Sequence, residues 1–345
     1  GLSGGRNKEM RYLVPMDPIL WLSGADVAAT GVCDLEQTAG IVQEAFRLYD
    51  GGQAVIAPEA ALRLHGAGQD RACYSLPAYV GGQVGVCGLK WSAHGSAAKP
   101  GQSRIHAVVV LNDPDSGRPL AVLNGTEIGA ARTGAVTAAA LSRLAPAGAR
   151  KAALCGAGGQ AERQLQALLL ALPGLEKISI WSRGGVRSRL LADRYAVSGT
   201  AVQAADTLEA AVEGADVVIA ATSASSPYLT AHHLESVSLY CHIGFHEIAF
   251  EAVDRFDSIV VDAWEEARAV SGQSLFRYWR EGLLPEERIT GKLGAIVSGA
   301  LAVPRAAPGQ RVMFDAFGLP IFDLSVAKAA YLRAREMGLG TSLPW

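Results

Sequence analysis

Residues 151–171 contain the feature that most constrains the fold, an apolar strand followed directly by a glycine turn and an amphipathic helix. Gly156 permits a tight turn, Gly158 lets the backbone approach a pyrophosphate, and the small Ala161 lets the helix pack closely on the strand. The unpaired N–H groups of a helix that begins near Gly159 suit a bound phosphate. We therefore predict a dinucleotide-binding βα turn at this position.

The sequence after residue 150 alternates short apolar strands with helical segments. Candidate strands occupy residues 152–155, 177–182, 201–204, 216–221, 238–243, 258–262 and 312–317. This alternation favours a parallel sheet with helices on both faces, which is the Rossmann arrangement. The earlier part differs: after a helical pattern from residue 17 to 49, strand-like runs follow at 54–57, 74–80, 84–91 and 105–124. These runs predict a small α+β unit with antiparallel strands.

The composition narrows the possible partners. The chain has 345 residues with 50% hydrophobic content, which is enough for two hydrophobic cores. Its formal net charge of −2 provides no basic surface for nucleic acid or an anionic membrane, and its apolar runs are too short to span a bilayer. The five cysteines lack the paired spacing of a disulfide framework or a zinc site. We therefore expect a cytoplasmic protein that binds small molecules, with no metal and no nucleic-acid or membrane partner.

The end of the second strand of the parallel sheet bears on the choice of nucleotide. NAD-specific sites place Asp or Glu there to bind the ribose 2′-hydroxyl, but this chain has Ser182 and Arg183, followed by Arg187 and Arg189. Hydroxyl and guanidinium groups suit a 2′-phosphate, so we predict an NAD(P) cofactor with NADP(H) preferred. The alternative, that these arginines are ordinary solvated helix charges, stays open.

Several separated motifs follow one another in an order that resembles a known family. They are residues 88–91 (Gly-Leu-Lys-Trp), 111–114 (Leu-Asn-Asp-Pro), 131–136 (Ala-Arg-Thr-Gly-Ala-Val) and 315–323 (Asp-Ala-Phe-Gly-Leu-Pro-Ile-Phe-Asp). Over nearly its whole length the chain resembles the ornithine cyclodeaminase/mu-crystallin family. Segments 88–92, 261–264 and 338–341 are most similar to the branch that makes L-2,3-diaminopropionate for siderophores and peptide antibiotics.

The resemblance implies an architecture and an activity. A Rossmann domain of residues 131–318 would be inserted into an α+β substrate-binding and dimerisation domain of residues 1–130 and 319–345, and two subunits would pair as a homodimer. The expected enzyme is an NAD(P)-dependent oxidoreductase that oxidises N-(2-amino-2-carboxyethyl)-L-glutamate at its CH–NH bond. Hydrolysis of the imine would release L-2,3-diaminopropionate and 2-oxoglutarate.

The resemblance also assigns substrate-binding residues. Lys90 matches the family lysine that reaches the substrate carboxylate and the reacting carbon, Arg132 matches the arginine that clamps this carboxylate, and Arg63 matches a further substrate-binding arginine. Such fixed cations would align the reacting carbon with a nicotinamide. The alternatives are a strand lysine with an exposed tip at Lys90 and a surface charge at Arg63.

The family's catalytic aspartate follows the fifth strand of the nucleotide-binding sheet, and Glu247 takes its place here. Because Glu is one methylene longer than Asp, the proton-transfer geometry must differ, or the role belongs to the adjacent His246. A carboxylate at the carboxyl edge of a parallel sheet lies where a ligand crevice is expected. The alternative is a Glu that stabilises a helix N-terminus.

The predicted site thus has a catalytic part and a nucleotide-binding part. The catalytic residues are Lys90, Arg132 and Glu247, with Arg63 as a further substrate contact. The predicted nucleotide contacts lie in the glycine turn, at strand ends and on the helix before the turn: Gly156, Gly158, Gly159, Gln160, Ala161, Ser182, Arg183, Thr222, Arg132 and Thr133.

Three other functions remain as alternatives. A cyclodeaminase would oxidise a diamino acid, close the ring on the imine and reduce it again with the same bound nucleotide. An imine or ketimine reductase would work in the opposite direction, which Ser182 and Arg183 suit because NADPH usually drives reduction. The third is a non-catalytic binding protein of the mu-crystallin kind, and the presence of Lys90, Arg132 and an acid at position 247 argues against it.

Overall fold

The computed structural model describes residues 17–64, 71–95, 104–196, 199–302 and 309–345. In this part of the chain the strands, numbered in chain order, form two sheets of eight strands each. None of the helices described is long and apolar enough to cross a membrane.

The first sheet is mixed. Its strands are β1 (Ile19–Leu22), β2 (Ala54–Ile56), β3 (Ala60–Arg63), β4 (Ala72–Val80), β5 (Val86–His94), β6 (Ile105–Asn112), β7 (Pro119–Asn124) and β16 (Thr341–Leu343). They lie in the order β16-β1-β7-β6-β5-β4-β2, with β3 paired to β4. The β1–β7 pair is parallel and the other pairs are antiparallel.

The second sheet is parallel throughout. Its strands are β8 (Lys151–Cys155), β9 (Lys177–Trp181), β10 (Ala201–Ala204), β11 (Val217–Ala220), β12 (Leu239–His242), β13 (Ser258–Val261), β14 (Ile289–Lys292) and β15 (Val312–Asp315). Their order is β10-β9-β8-β11-β12-β15-β13-β14. Every residue of β11, β12 and β15 is buried, as expected for strands covered on both faces. The five strands from β10 to β12 have the 3-2-1-4-5 order of a Rossmann sheet. The sequence order of the strands reverses between β8 and β11, although all the strands are parallel.

The helices cover both sheets and connect them. They are α1 (Gly24–Ala29), α2 (Leu35–Asp50), α3 (Thr126–Leu144), α4 (Ala161–Ala171), α5 (Val186–Arg194), α6 (Leu208–Val212), α7 (Phe250–Val253), α8 (Ser274–Arg280), α9 (Leu293–Ser298) and α10 (Pro320–Met337), with a short 3-10 helix at Glu286–Arg288. The last helix, α10, packs on β4, β5 and β6. Helix α3 contacts β6 of the first sheet and α4 beside the second.

The predicted α/β fold, with a Rossmann sheet inserted into an α+β unit, is confirmed. The chain builds β1 to β7, then all eight strands of the parallel sheet, and returns through α10 to add β16. The exact domain limits stay a prediction, and the limit between residues 130 and 131 falls within the continuous helix α3. The helical pattern predicted from residue 17 is wrong over Ile19–Leu22, because this short apolar run pairs with β7 and β16. Periodicity alone does not separate a strand from a helix in a run of this length.

Candidate active site

The glycine turn lies between β8 and α4, at the carboxyl edge of the parallel sheet. Gly156 has a φ of 119°, and a Cβ at this position would lie 2.6 Å from the carbonyl oxygen of Ala221. Both the backbone conformation and the available space therefore demand glycine. The turn passes directly beside the end of β11, where a dinucleotide is bound in a Rossmann sheet.

The start of α4 has open space that a ligand would fill. A Cβ at Gly158 or Gly159 would meet no described atom within 4 Å, so contacts within the protein do not require glycine there. Gln160 Oε1 is buried and has no hydrogen-bond partner among the described residues, and Ala161 is buried at the first position of the helix. The N–H groups at the start of the helix and the approachable glycine backbone together fit the pyrophosphate of a dinucleotide, whereas Gln160 Oε1, which can only accept hydrogen bonds, does not.

The residues predicted to select the nucleotide lie at the end of β9. The Ser182 hydroxyl donates to Ser188 Oγ at 3.2 Å, and Arg183 is exposed. Arg187, in the first turn of α5, lines a cleft that includes the glycine turn, whereas Arg189 pairs with an aspartate. Contact of Arg183 or Arg187 with a nucleotide phosphate stays a prediction.

Lys90, Arg132 and Asp323 form a buried ionic cluster where β5, α3 and α10 meet. Lys90 Nζ lies 3.0 Å from Asp323 Oδ2, and Arg132 Nε lies 3.2 Å from Asp323 Oδ1. The Asp323 side chain has no exposed surface, and those of Lys90 and Arg132 are only 8% and 11% exposed. Because two cations share one carboxylate, the cluster keeps a net positive charge that can bind a substrate carboxylate.

The ammonium group of Lys90 is poised for proton exchange. Burial and the neighbouring Arg132 lower the pKa of Lys90, while Asp323 and Glu59 oppose this shift. A lowered pKa makes it easier for a lysine ammonium group to release a proton, so Lys90 has the chemistry to exchange protons as well as to bind a carboxylate.

Arg132 is fixed against the loop that follows β15. A Cβ at Gly318 would lie 2.2 Å from Arg132 Nη1, so glycine is needed for the guanidinium group to lie there. Asp262 holds this loop by accepting hydrogen bonds from the backbone N–H groups of Phe317 and Gly318, both at 2.8 Å. Burial raises the pKa of Asp262 to about 7. The 315–323 motif thus shapes the space that Arg132 occupies.

The helix that carries Arg132 also contacts the helix of the glycine turn. A Cβ at Gly134 would lie 2.9 Å from the carbonyl oxygen of Arg163, which belongs to the first turn of α4. Arg132 lies two residues before Gly134 and therefore on roughly the opposite side of α3 from α4. Its contact with Gly318, in the loop after β15, puts the ionic cluster at the carboxyl edge of the parallel sheet, the edge at which the glycine turn also lies. Thr133 donates its hydroxyl to the carbonyl oxygen of Gly129, and its contact with a nucleotide stays a prediction.

Glu247 is buried at the same edge of the parallel sheet and binds Thr222. Its Oε1 atom accepts hydrogen bonds from Thr222 N at 2.5 Å and from Thr222 Oγ1 at 2.6 Å. A Cβ at Gly244 would lie 2.4 Å from this oxygen, so glycine lets the backbone pass close to the carboxylate. Glu247 has no exposed surface, whereas Thr222 is partly exposed. Glu247 therefore reaches the site through the Thr222 hydroxyl, and its role in proton transfer stays a prediction.

A buried histidine and a second carboxylate lie behind Glu247. His242 Nδ1 is 2.6 Å from Asp315 Oδ2, and His242 Nε2 is 3.3 Å from Glu247 Oε2. The second contact is an ion pair without hydrogen-bond alignment. Burial lowers the pKa of His242, but the two carboxylates outweigh it and raise the pKa to about 10. The imidazole is therefore protonated near neutral pH and bridges two acids.

Two further predicted residues lie at the border of the site. His246 is partly exposed, its Nδ1 lies 3.0 Å from Ser274 Oγ, and burial and Arg277 lower its pKa. Arg63 is exposed at the end of β3. Among the described residues, no group of three His, Cys, Asp or Glu side chains is placed to hold a metal ion.

Four buried residues of this site have no role in the sequence-based prediction: His242, Asp262, Asp315 and Asp323. Each is a titratable residue inside or directly after an apolar segment of the sequence. A charge in such a segment is the signal that could have identified them, because an ionisable group is seldom buried without a partner.

A family model described as the ornithine cyclodeaminase/mu-crystallin family matches residues 23–338. An N-((2S)-2-amino-2-carboxyethyl)-L-glutamate dehydrogenase of Staphylococcus aureus is 26% identical over 78% of this chain and 81% of its own length. The Δ(1)-pyrroline-2-carboxylate reductase of Thermococcus litoralis, solved with NADH and L-proline, has a TM-score of 0.84 and 26% identity, covering 94% of this chain and 99% of that chain. An archaeal alanine dehydrogenase dimer with bound NAD has a TM-score of 0.83 and 25% identity, covering 95% and 99%.

These relatives are dehydrogenases and reductases, and both solved structures contain a nicotinamide nucleotide. The chain is likewise an NAD(P)-dependent oxidoreductase, and the resemblance inferred from its motifs is confirmed. Because the family model matches residues 23–338, the protein belongs to the ornithine cyclodeaminase/mu-crystallin family.

Proposed function

We propose that the protein oxidises N-(2-amino-2-carboxyethyl)-L-glutamate at the glutamyl Cα–N bond and releases L-2,3-diaminopropionate and 2-oxoglutarate. The observation that carries this proposal is the buried cluster of Lys90, Arg132 and Asp323 at the carboxyl edge of the parallel sheet, which offers a cationic clamp for an amino-acid carboxylate. The similarity to the staphylococcal dehydrogenase supports the choice of substrate.

The glycine turn and the start of α4 would hold the pyrophosphate of the nucleotide, with Thr222 beside them at the end of β11. When bound, the nicotinamide supplies the two-electron acceptor for the hydrogen at the substrate Cα. Arg183 after β9 and Arg187 in the first turn of α5, together with the absence of an acid at residues 182–183, support a preference for NADP(H). The two related structures contain NADH and NAD, so this preference would be a departure from them.

Lys90 and Arg132 would bind the glutamyl α-carboxylate and so fix the orientation of the neighbouring Cα. A proton would leave the substrate ammonium through the Thr222 hydroxyl to Glu247, which frees the nitrogen lone pair. Loss of the Cα hydrogen with its electron pair then leaves an iminium ion on the substrate. Water adds to this carbon, the C–N bond breaks, and one proton goes to the leaving nitrogen and one to solvent. Lys90 is the adjacent group able to pass these protons.

A homodimer is part of the proposal. Val55 and Tyr79 pair across β2 and β4, and both are exposed, at 61% and 39%, as is Trp91 on β5 at 41%. Since Trp91 alternates with Lys90, these residues lie on the face opposite the ionic cluster. An exposed apolar sheet face is typical of a subunit interface, and a related alanine dehydrogenase is a dimer. A cytoplasmic location is also proposed, because the five cysteines form no disulfide.

The test is an assay of the purified protein with the conjugate and either NAD+ or NADP+. We expect equal amounts of reduced nucleotide, 2-oxoglutarate and 2,3-diaminopropionate. A cyclodeaminase would release ammonia from ornithine with no net change in nucleotide, and an imine reductase would oxidise NADPH. The proposal is wrong if the conjugate is not turned over while one of these reactions proceeds.

A further inference from the structure

We propose that Glu59 and Arg63 bind the second amino-acid head group of the substrate, its free ammonium and its carboxylate, while Lys90 and Arg132 bind the first. The inference rests on the proposed function and assigns the residues that would recognise the second of the two amino-acid head groups in its substrate. It also assigns a role to Glu59, which no motif singled out.

Arg63 and Lys90 lie on one face of the first sheet. Lys90, Ser92 and His94 alternate along β5 and therefore share a face. Ala72 of β4 is paired with His94 on one side and with Arg63 of β3 on the other, so these three residues form one row across the sheet. His94, the member of this row on β5, lies four residues and therefore about 13 Å along the strand from Lys90. Strand β3 lies two strand spacings, or about 10 Å, to the side of β5. Two long cationic side chains at these positions leave room for two linked amino acids.

Glu59 lies close to both cations. It directly precedes β3 and is partly buried, and its carboxylate interacts electrostatically with Lys90 and Arg63. Burial raises the pKa of Glu59, and the two cations oppose that shift. In the described part of the chain, however, Glu59 forms no hydrogen bond and no ion pair within 4.0 Å. A partly buried carboxylate without such a partner has the capacity to bind an ammonium group.

An uncharged wall lies beside these two charges. His94 Nε2 is 3.1 Å from Ser92 Oγ, and the Tyr74 ring meets the His94 ring edge-on with 5.0 Å between centroids. Burial and nearby cations lower the pKa of His94, so its imidazole is neutral near pH 7. Glu59 and Arg63 therefore supply opposite charges next to polar groups that carry none, which complements an ammonium and a carboxylate on one carbon.

The arrangement distinguishes two-headed from one-headed substrates. L-Proline, the ligand in the related reductase structure, has a single head group that a clamp such as Lys90 and Arg132 would satisfy. A ligand of that kind would leave Glu59 without an ammonium group and Arg63 without a carboxylate to bind. The charge pair thus favours a conjugate of two amino acids over a simple amino acid.

The test measures equilibrium binding to the nucleotide-bound protein by calorimetry, alongside turnover. The ligands are N-(2-amino-2-carboxyethyl)-L-glutamate, N-(2-carboxyethyl)-L-glutamate without the ammonium, and N-(2-aminoethyl)-L-glutamate without the carboxylate. Glu59→Gln should weaken the full conjugate about tenfold or more and leave the ligand without the ammonium unaffected. Arg63→Gln should weaken the full conjugate similarly and leave the ligand without the carboxylate unaffected. Glu36→Gln, at an exposed glutamate of α2, is the matched control and should change nothing.

The outcomes separate this inference from the proposed function. If the conjugate is turned over but each variant lowers the affinity for all three ligands equally, Glu59 and Arg63 do not recognise the second head group. The proposed function then still stands. If none of the three ligands binds while Δ1-pyrroline-2-carboxylate is reduced, both the function and the inference are wrong. Unchanged nucleotide affinity in each variant shows that the fold is intact.

Discussion

Lys90 donates through Nζ to Asp323 Oδ2 at 3.0 Å and so joins β5 to α10 across 233 residues of sequence. Because Asp323 is fully buried and also pairs with Arg132, it fixes both cations before any substrate binds. Charges held in place in this way need little rearrangement when a substrate carboxylate arrives. The contact therefore links the stability of the fold to the geometry of the site.

Replacement of Lys90 tests the substrate clamp. Lys90→Ala should lower kcat/KM for the conjugate by about a hundredfold or more, because it removes a buried cation that both binds the carboxylate and passes protons. Nucleotide affinity, measured by fluorescence titration, should stay within about twofold of wild type. Lys151→Ala, at an exposed lysine, is the control. An active Lys90→Ala protein would remove this residue from the mechanism.

Replacement of Asp323 tests the other half of the contact. Asp323→Asn leaves Lys90 and Arg132 buried without a shared carboxylate, and losing one partner of a buried pair costs about 3–5 kcal/mol. We expect the free energy of unfolding in urea to fall by about this amount. A change below about 1 kcal/mol would indicate that the cluster behaves as a solvated surface pair.

The local sequence was sufficient to predict seven of the eight strands of the parallel sheet, whereas the edge strand β14 (Ile289–Lys292) was not predicted. In residues 151–171 the strand, the turn and the helix are each indicated by residues close together in the sequence, namely the apolar periodicity and Gly156. Strand β1 was not predictable in this way, because four apolar residues become a strand only when β7 and β16 lie beside them. Pairing partners of this kind are distant in the sequence.

The candidate site was predicted less completely than the fold. Lys90, Arg132 and the glycine turn were found through motifs, but Asp323 ended a motif without receiving a role. Its role follows only from its distance to Lys90 and Arg132, which the packing of α10 on β5 determines. Glu59 carries no motif, and its proposed role follows from the electrostatic neighbours that β3 brings to it.

The contact between Glu247 and Thr222 leads to a paired prediction. Glu247→Gln and Thr222→Val should each lower kcat by about a hundredfold, because each interrupts the proposed proton path. Thr222→Ser keeps the hydroxyl and should retain most of the activity. Steady-state kinetics over a range of pH is the measurement. Normal activity of Thr222→Val would exclude the path through this hydroxyl and favour His246 or water.

His242 should make stability depend on pH. The carboxylates of Asp315 and Glu247 raise its pKa to about 10, above the ordinary value of 6.5. A raised folded-state pKa stabilises the protein fully below about pH 6.5, and this contribution is lost as the pH rises through about 10. The difference in unfolding free energy between wild type and His242→Gln should therefore shrink between these values in urea titrations. A constant difference would mean that His242 is neutral in the folded protein.

The last prediction concerns the choice of nucleotide at the end of β9. Arg183→Asp should lower kcat/KM with NADP+ about tenfold or more relative to NAD+, because it places a carboxylate beside the 2′-phosphate and offers an acceptor to a 2′-hydroxyl. Arg187→Asp should act in the same direction, since Arg187 lines the cleft at the glycine turn. Arg255→Asp makes the same charge change at an exposed arginine on the far part of the sheet and should leave the ratio unaltered. If the NADP+ to NAD+ ratio is the same in wild type, Arg183→Asp and Arg187→Asp, the strand end does not contact the 2′ position, and the nucleotide preference must be set by other residues.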